Sequence, residues 1–198
     1  MHRVTVLAIG RLAAAALGLS AVVYVALRAG PVVFNYFTVL SNVLGVVALA
    51  TAAVRGLRGD PPSARFGLFR GAAALYLATT GVVYWTLLYG ADVDTPAWSN
   101  YVLHLVLPVV AVADWLAEPA RVAYRQVGWW LVFPLAYLAY TLVRGPFADW
   151  YPYPFLDPRT DGGYAKVAGM SVGVAVLIVA LGLLIAWLAG LRRPASAR

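Results

Sequence analysis

Cysteine is absent from the 198 residues. That excludes a disulfide framework and any metal, thiol or haem chemistry built on cysteine. Charge is scarce as well: 12% of the chain is Asp, Glu, Lys or Arg, against about 25% in a soluble domain. Lysine occurs once, at Lys166, beside fourteen arginines, and histidine only twice, at His2 and His104. Paired histidines for haem are missing, and no His/Asp/Glu cluster has metal-ligand spacing. Walker loops, dinucleotide fingerprints and Gly-x-Ser-x-Gly elbows are also missing. The expectation is therefore no cofactor and no metal.

What is present is apolar. Hydrophobic residues make up 63% of the chain, and the mean hydropathy is +0.79. So much apolar surface has no aqueous home, which makes lipid the expected solvent. Seven Trp and twelve Tyr suit membrane interfaces. The net charge of +7 does not point to nucleic acid, because the arginines are spread over short segments between apolar runs. Arginine in place of lysine, with many Ala, Val and Gly, suggests a GC-rich bacterial source.

Apolar runs occur at about 4–27, 32–54, 69–89, 98–116, 128–143 and 165–191. Each approaches the ~17–25 residues that cross a bilayer, the fifth being short. Breaks fall at Gly30-Pro31, Gly59–Ser63, Asp92–Pro96 and Glu118-Pro119. The first run is too long for a signal peptide and is interrupted by Arg11, so it reads as a retained helix. With the N-terminus inside, eleven cations fall on cytoplasmic segments and four (Arg28, Arg144, Arg159, Lys166) on outer ones. The expected fold is an all-α bundle of six spans in one domain, N-in and C-in. Four or five spans remain open if the fifth run is re-entrant. The expected place is the cell membrane, as a multi-pass protein of a bacterial inner membrane. The outer loop at about 144–164 is too aromatic for a solvated linker and is expected to lie on the membrane surface or to fold over the bundle as a cap.

Polar side chains inside a bilayer are costly, and two clusters stand out. On the second span, Asn35, Thr38 and Asn42 are spaced i, i+3, i+7 on one helical face, with Ser41 beside them. On the fourth, Asn100 and His104 are i, i+4 neighbours. Thr38 lies seven residues past Pro31 and His104 eight past Pro96. That predicts a matched depth of roughly 10–12 Å on helices running the same way. A hydroxyl and an imidazole that meet are the minimum set for nucleophilic acyl transfer. Asn35, Ser41, Asn42 and Asn100 are then candidates to hold the oxyanion or position the substrate. Asp114 lies ten residues below His104, too deep to orient it, and is expected to pair with Arg121 or another loop arginine. Asp149 or Asp157 would orient the imidazole if the outer loop folds inward, and Tyr151 and Tyr153 of that loop are further candidates. The bland alternative is that these groups are interhelical glue.

Three segments carry a resemblance: Tyr36-Phe37-Thr38-Val39-Leu40-Ser41-Asn42; His104, Pro108 and Asp114-Trp115; and Tyr151-Pro152-Tyr153-Pro154-Phe155-Leu156-Asp157. They resemble the signatures of a bacterial family of small six-span membrane proteins. That family is distantly similar to the FAR-17a-like androgen-induced and androgen-dependent membrane threonine hydrolases, which cleave fatty acid esters of hydroxy fatty acids. The resemblance implies a nucleophile at Thr38, a base at His104 and a fatty-acyl ester substrate. The Tyr-Pro-Tyr-Pro-Phe-Leu-Asp loop belongs to the bacterial family's pattern alone. The competing expectation is a lipid-binding or transport protein without turnover, in which His104 senses pH. A third is a purely structural bundle.

Overall fold

The computed structural model describes residues 2–90, 97–120 and 122–191. Asp92, Asp94, Arg121, Arg192, Arg193 and Arg198, which entered the topology count, lie outside these residues, as does the break at 91–96. The described residues form helices and connecting turns, without a strand. Six helices are long and apolar enough to cross a membrane: α1 Arg3–Ala29, α2 Phe37–Arg58, α3 Ala64–Leu88, α4 Ala97–Ala117, α5 Tyr124–Ala148 and α6 Gly163–Leu191. Lipid offers no partner to a bare peptide group, so each span must satisfy its own backbone, as a helix does. This is a multi-pass α-helical membrane fold. Below, "inner" denotes the end where α1 begins and "outer" the opposite end.

Several boundaries differ from the sequence reading. Pro31–Asn35 is a 3-10 turn, and α2 starts only at Phe37 after an extended Tyr36 (ψ 131°). Asn35 therefore does not share the helical face of Thr38 and Asn42. α3 begins at Ala64, where the Ser63 hydroxyl accepts the Phe66 N–H as an N-cap. The fifth span is 25 residues long, not short, so it is long enough to cross. A 3-10 stretch at Gly128–Leu131 divides it, and its last turn runs through Pro146.

α3 is the most enclosed span, 61% buried, while α5 is 22% buried. Small residues let neighbours close on α3. A Cβ at Gly71 would lie 2.4 Å from the Trp130 ring of α5, and one at Gly81 would lie 3.1 Å from the His104 carbonyl of α4. Two π turns face each other across that second contact, Tyr84–Leu88 and Val102–Val106. Pro108 has no N–H to give to the His104 carbonyl four residues back. The Trp85 indole supplies it instead, at 3.1 Å.

The inner end is closed by charge. Arg11 of α1 gives its Nε to Asp114 Oδ1 at 2.6 Å and an Nη to Glu118 at 2.5 Å. Arg70 of α3 gives an Nη to Asp114 Oδ2 at 2.7 Å. Asp114 thus pairs with two arginines that sit within spans, where the sequence pointed to Arg121 or another loop arginine; Arg121 lies outside the described residues. The Arg11 and Asp114 side chains are 6% and 9% exposed. Removing one partner from such a cluster leaves a buried charge unpaired and costs about 3–5 kcal/mol. Asp114→Asn is expected to lower the unfolding midpoint in detergent by that scale. Glu118→Gln, at a carboxylate 41% exposed, should change it much less. Equal midpoints for the two variants would refute this account of the inner end.

Candidate functional site

The late start of α2 puts Thr38 in the first helical turn, where backbone N–H groups lack helical acceptors. The Tyr153 hydroxyl from the loop between α5 and α6 accepts the Thr38 N–H at 3.3 Å and lies 3.5 Å from Thr38 Oγ1. Tyr153 is buried with Tyr137, Leu156 and Val167, and its ring stacks on Phe155 at 5.2 Å. Burial pushes its phenol above the usual range, so it stays neutral. The aromatic loop does fold over the bundle, and Tyr153 is its deepest contact.

Beneath this cap is an open cavity of about 100 Å³, counted as the space available to the centres of water-sized molecules. α2, α3, α5, α6 and the cap enclose it. Its wall is mainly aliphatic and aromatic, with no charged side chain among the lining residues. Its polar points are hydroxyls: Thr38 and Tyr153 at the top, Thr79 and Thr80 on α3, and Ser171 on α6. The hydroxyls of Thr79, Thr80 and Ser171 are buried without a hydrogen-bond partner among the described residues. Leaving such a group unsatisfied costs about 1–3 kcal/mol, so three around one cavity mark a surface suited to a polar guest.

His104 sits elsewhere. Its Nδ1 lies 3.0 Å from the Asn100 carbonyl. A carbonyl only accepts, so Nδ1 carries the proton and Nε2 keeps a lone pair. The imidazole stacks on Tyr84, centroids 3.9 Å apart, and the Tyr84 hydroxyl accepts a hydrogen bond from Asn100 Nδ2. The cavity wall includes Thr38 but not His104.

Asn42 relates the two. Its Nδ2 donates to the Thr38 carbonyl at 2.8 Å and to the Leu103 carbonyl at 3.1 Å. Asn42 is therefore level with Leu103, next to His104. Thr38, four residues up the same helix, is about one turn, ~6 Å, nearer the outer end. No hydrogen bond joins Thr38 and His104 in this conformation. Asn42 Oδ1 and Ser41 Oγ are buried without partners.

The remaining candidates hold the scaffold. Asn35 is tied to α5: its carbonyl accepts from Tyr137 at 2.8 Å and its Oδ1 from Tyr140 at 2.7 Å. Asp149 and Asp157 do not reach the imidazole; both grip Arg159, Asp157 through two hydrogen bonds at 2.9 and 2.8 Å. Tyr151 lies under the Arg159 guanidinium and against Gly145, where a Cβ would clash. Sequence reasoning missed Thr79, Thr80, Ser171 and Tyr84. A Thr-Thr pair inside an apolar run was the available signal for the first two. Among the described residues no group of three His, Asp or Glu could hold a metal ion.

Comparison with family models, curated proteins and solved structures finds no match to the chain.

The cap is held by charge at its rim. The Arg159 guanidinium beside Asp157 keeps that carboxyl below the usual carboxylate range. A depressed carboxyl stabilises the folded loop above its unfolded pKa, and the benefit is lost as pH falls through the folded value. Hydrogen exchange across 150–162, corrected for intrinsic rates, should rise as pH drops below about 4, the unfolded pKa of Asp. Arg159→Gln should raise exchange at neutral pH and flatten the profile. A flat profile in the parent protein would remove Arg159 as the latch.

Proposed function

We propose that this membrane protein takes an uncharged acyl lipid into the capped cavity, with the lipid's ester or other carbonyl head at Thr38. The observation that supports this is an apolar chamber whose polar points are all hydroxyls and which has no cation or carboxylate in its wall. A phosphate or a free carboxylate would meet no counter-charge there and would pay a desolvation cost of several kcal/mol. An ester carbonyl accepts from a hydroxyl and needs no counter-charge.

A second reading adds chemistry at the same place and is the one the family resemblance implies: hydrolysis of the lipid ester. The observation that favours it is the His104 tautomer, which leaves Nε2 as a base. Asn42 also connects the Thr38 turn to the peptide beside that histidine. In the reaction, Nε2 takes the Thr38 hydroxyl proton as Oγ1 attacks the ester carbon. The C–O bond breaks and the departing alcohol takes the proton back. Water then releases the acyl group from threonine by the same steps. Thr38 and His104 share no hydrogen bond in this conformation, so this reading needs the two to approach, which the binding reading does not.

Two experiments separate them. A diazirine-bearing methyl oleate photolysed on the protein should label the 79–83 stretch and be competed by methyl oleate but not by sodium oleate. Thr38→Val should weaken the competition about two- to tenfold, the worth of one hydrogen bond. Labelling that is not saturable would sink the binding reading. For hydrolysis, a lipophilic fluorophosphonate should form an adduct on Thr38 that is lost in His104→Ala. An unlabelled Thr38, under conditions that label a control serine hydrolase, would leave binding alone.

A further inference from the structure

The two walls of the cavity made by α5 and α6 are joined at the inner end and not at the outer. Val127 of α5 packs against Gly182 of α6, where a Cβ would lie 2.8 Å from it. The Trp130 indole, one turn up, donates to the Leu68 carbonyl of α3 at 2.9 Å. Above this level α5 turns to the other side. Phe133 stacks on Phe37 of α2 at 5.3 Å and packs on Tyr76 of α3. Tyr137 and Tyr140 bond to Asn35. The 3-10 stretch at Gly128–Leu131 is where the helix changes geometry, and such stretches often mark hinges. No hydrogen bond or ring contact joins the outer half of α5 to α6 among the described residues.

Counting eight residues outward from the Val127–Gly182 contact reaches Leu135 on α5 and Val174 on α6. Both line the cavity, and Leu135 is at the same time 55% exposed. A side chain that faces both the chamber and the outside of the bundle lies at a mouth. That mouth is on the flank of an apolar helix pair, at a level where the surroundings are acyl chains and not water. The top, by contrast, is covered by Tyr153, Phe155 and Leu156 and pinned by Arg159 and by Lys166, whose Nζ donates to the Pro154 carbonyl at 3.3 Å.

We propose that the lipid enters sideways, from the outer half of the bilayer, through the seam between α5 and α6 at Leu135 and Val174. This rests on the binding reading above and adds the route. A lipid entering there never leaves the hydrocarbon phase, so no aqueous transfer step limits loading. The cap then acts as a fixed roof, not as a door, and its aromatic underside presents Tyr153 to the arriving head group.

The absence of cysteine makes the test clean. The variant Leu135→Cys/Val174→Cys is placed in phosphatidylcholine nanodiscs and bridged with a bifunctional methanethiosulfonate reagent, whose bonds a reductant breaks. Diazirine-bearing methyl oleate is added, and labelling of residues 79–83 is followed in time. The labelling rate of the same variant before bridging is the reference. Bridging should slow it at least tenfold, and reduction should restore it on the same molecules. Leu135→Trp, which fills the mouth without a bridge, should slow labelling with little change in unfolding midpoint. Labelling unaffected by the bridge, and accelerated by Arg159→Gln, would overturn the lateral route in favour of the cap. Absence of saturable labelling before any bridging would instead remove the binding reading itself.

Discussion

The buried carboxylate of Asp114 holds the inner end of this bundle together. It accepts from α1 through Arg11 and from α3 through Arg70, and lipid leaves both cations few other partners at that depth. Glycine contacts and the Trp115–Trp130 pair, with centroids 6.4 Å apart, close the same end by packing. With one end fixed by charge and close contact, the other can open without loss of the fold. The cavity exists because α5 leans on α2 in its outer half and on α3 and α6 in its inner half. The bundle resembles a hand closed at the wrist.

The outer end reconciles two demands. A cavity within the bundle exposes backbone and side-chain polar groups that lipid cannot satisfy. The cap supplies some of what is missing, as the Tyr153 hydroxyl accepts the Thr38 N–H in the first turn of α2; within the bundle, Trp85 of α3 replaces the donor that Pro108 lacks. Of the hydroxyls that stay unsatisfied, those of Thr79, Thr80 and Ser171 line the cavity, while those of Ser41 and Thr141 lie elsewhere in the bundle. Unsatisfied groups that line a cavity bear on what the cavity can accept.

Much of this was legible in the sequence, and for a physical reason. Spans are set by local hydropathy, so six runs, their order and the aromatic cap follow from composition along the chain. Thr38 and His104 stood out because polar groups are rare at those depths, and Asn42 because of its spacing from Thr38. What failed depended on distant partners or on helix type. Tyr36 looks like any residue of an apolar run, yet its extended backbone shifts the start of α2 and with it the depth of Thr38. Asp114 pairs with Arg11, 103 residues away, where nearness in sequence pointed to Arg121 or another loop arginine. The π turn around His104 has no composition signature apart from the proline that follows it.

The central position of Arg70 and Asp114 also bears on how the chain is assembled during synthesis. α3 reaches the membrane carrying Arg70 before its partner Asp114, which arrives only on the next span. These two helices are best inserted as a hairpin, each neutralising the other. Arg11 has been waiting since the first span, its head drawn to the inner interface as long basic side chains are. The ion pair that ties α1 to α4 can therefore form only after α4 is made. A ribosome stalled before residue 114 would hold α1 with α2 available to pack on at Gly18 and Val46, but with Arg11 still without its carboxylate.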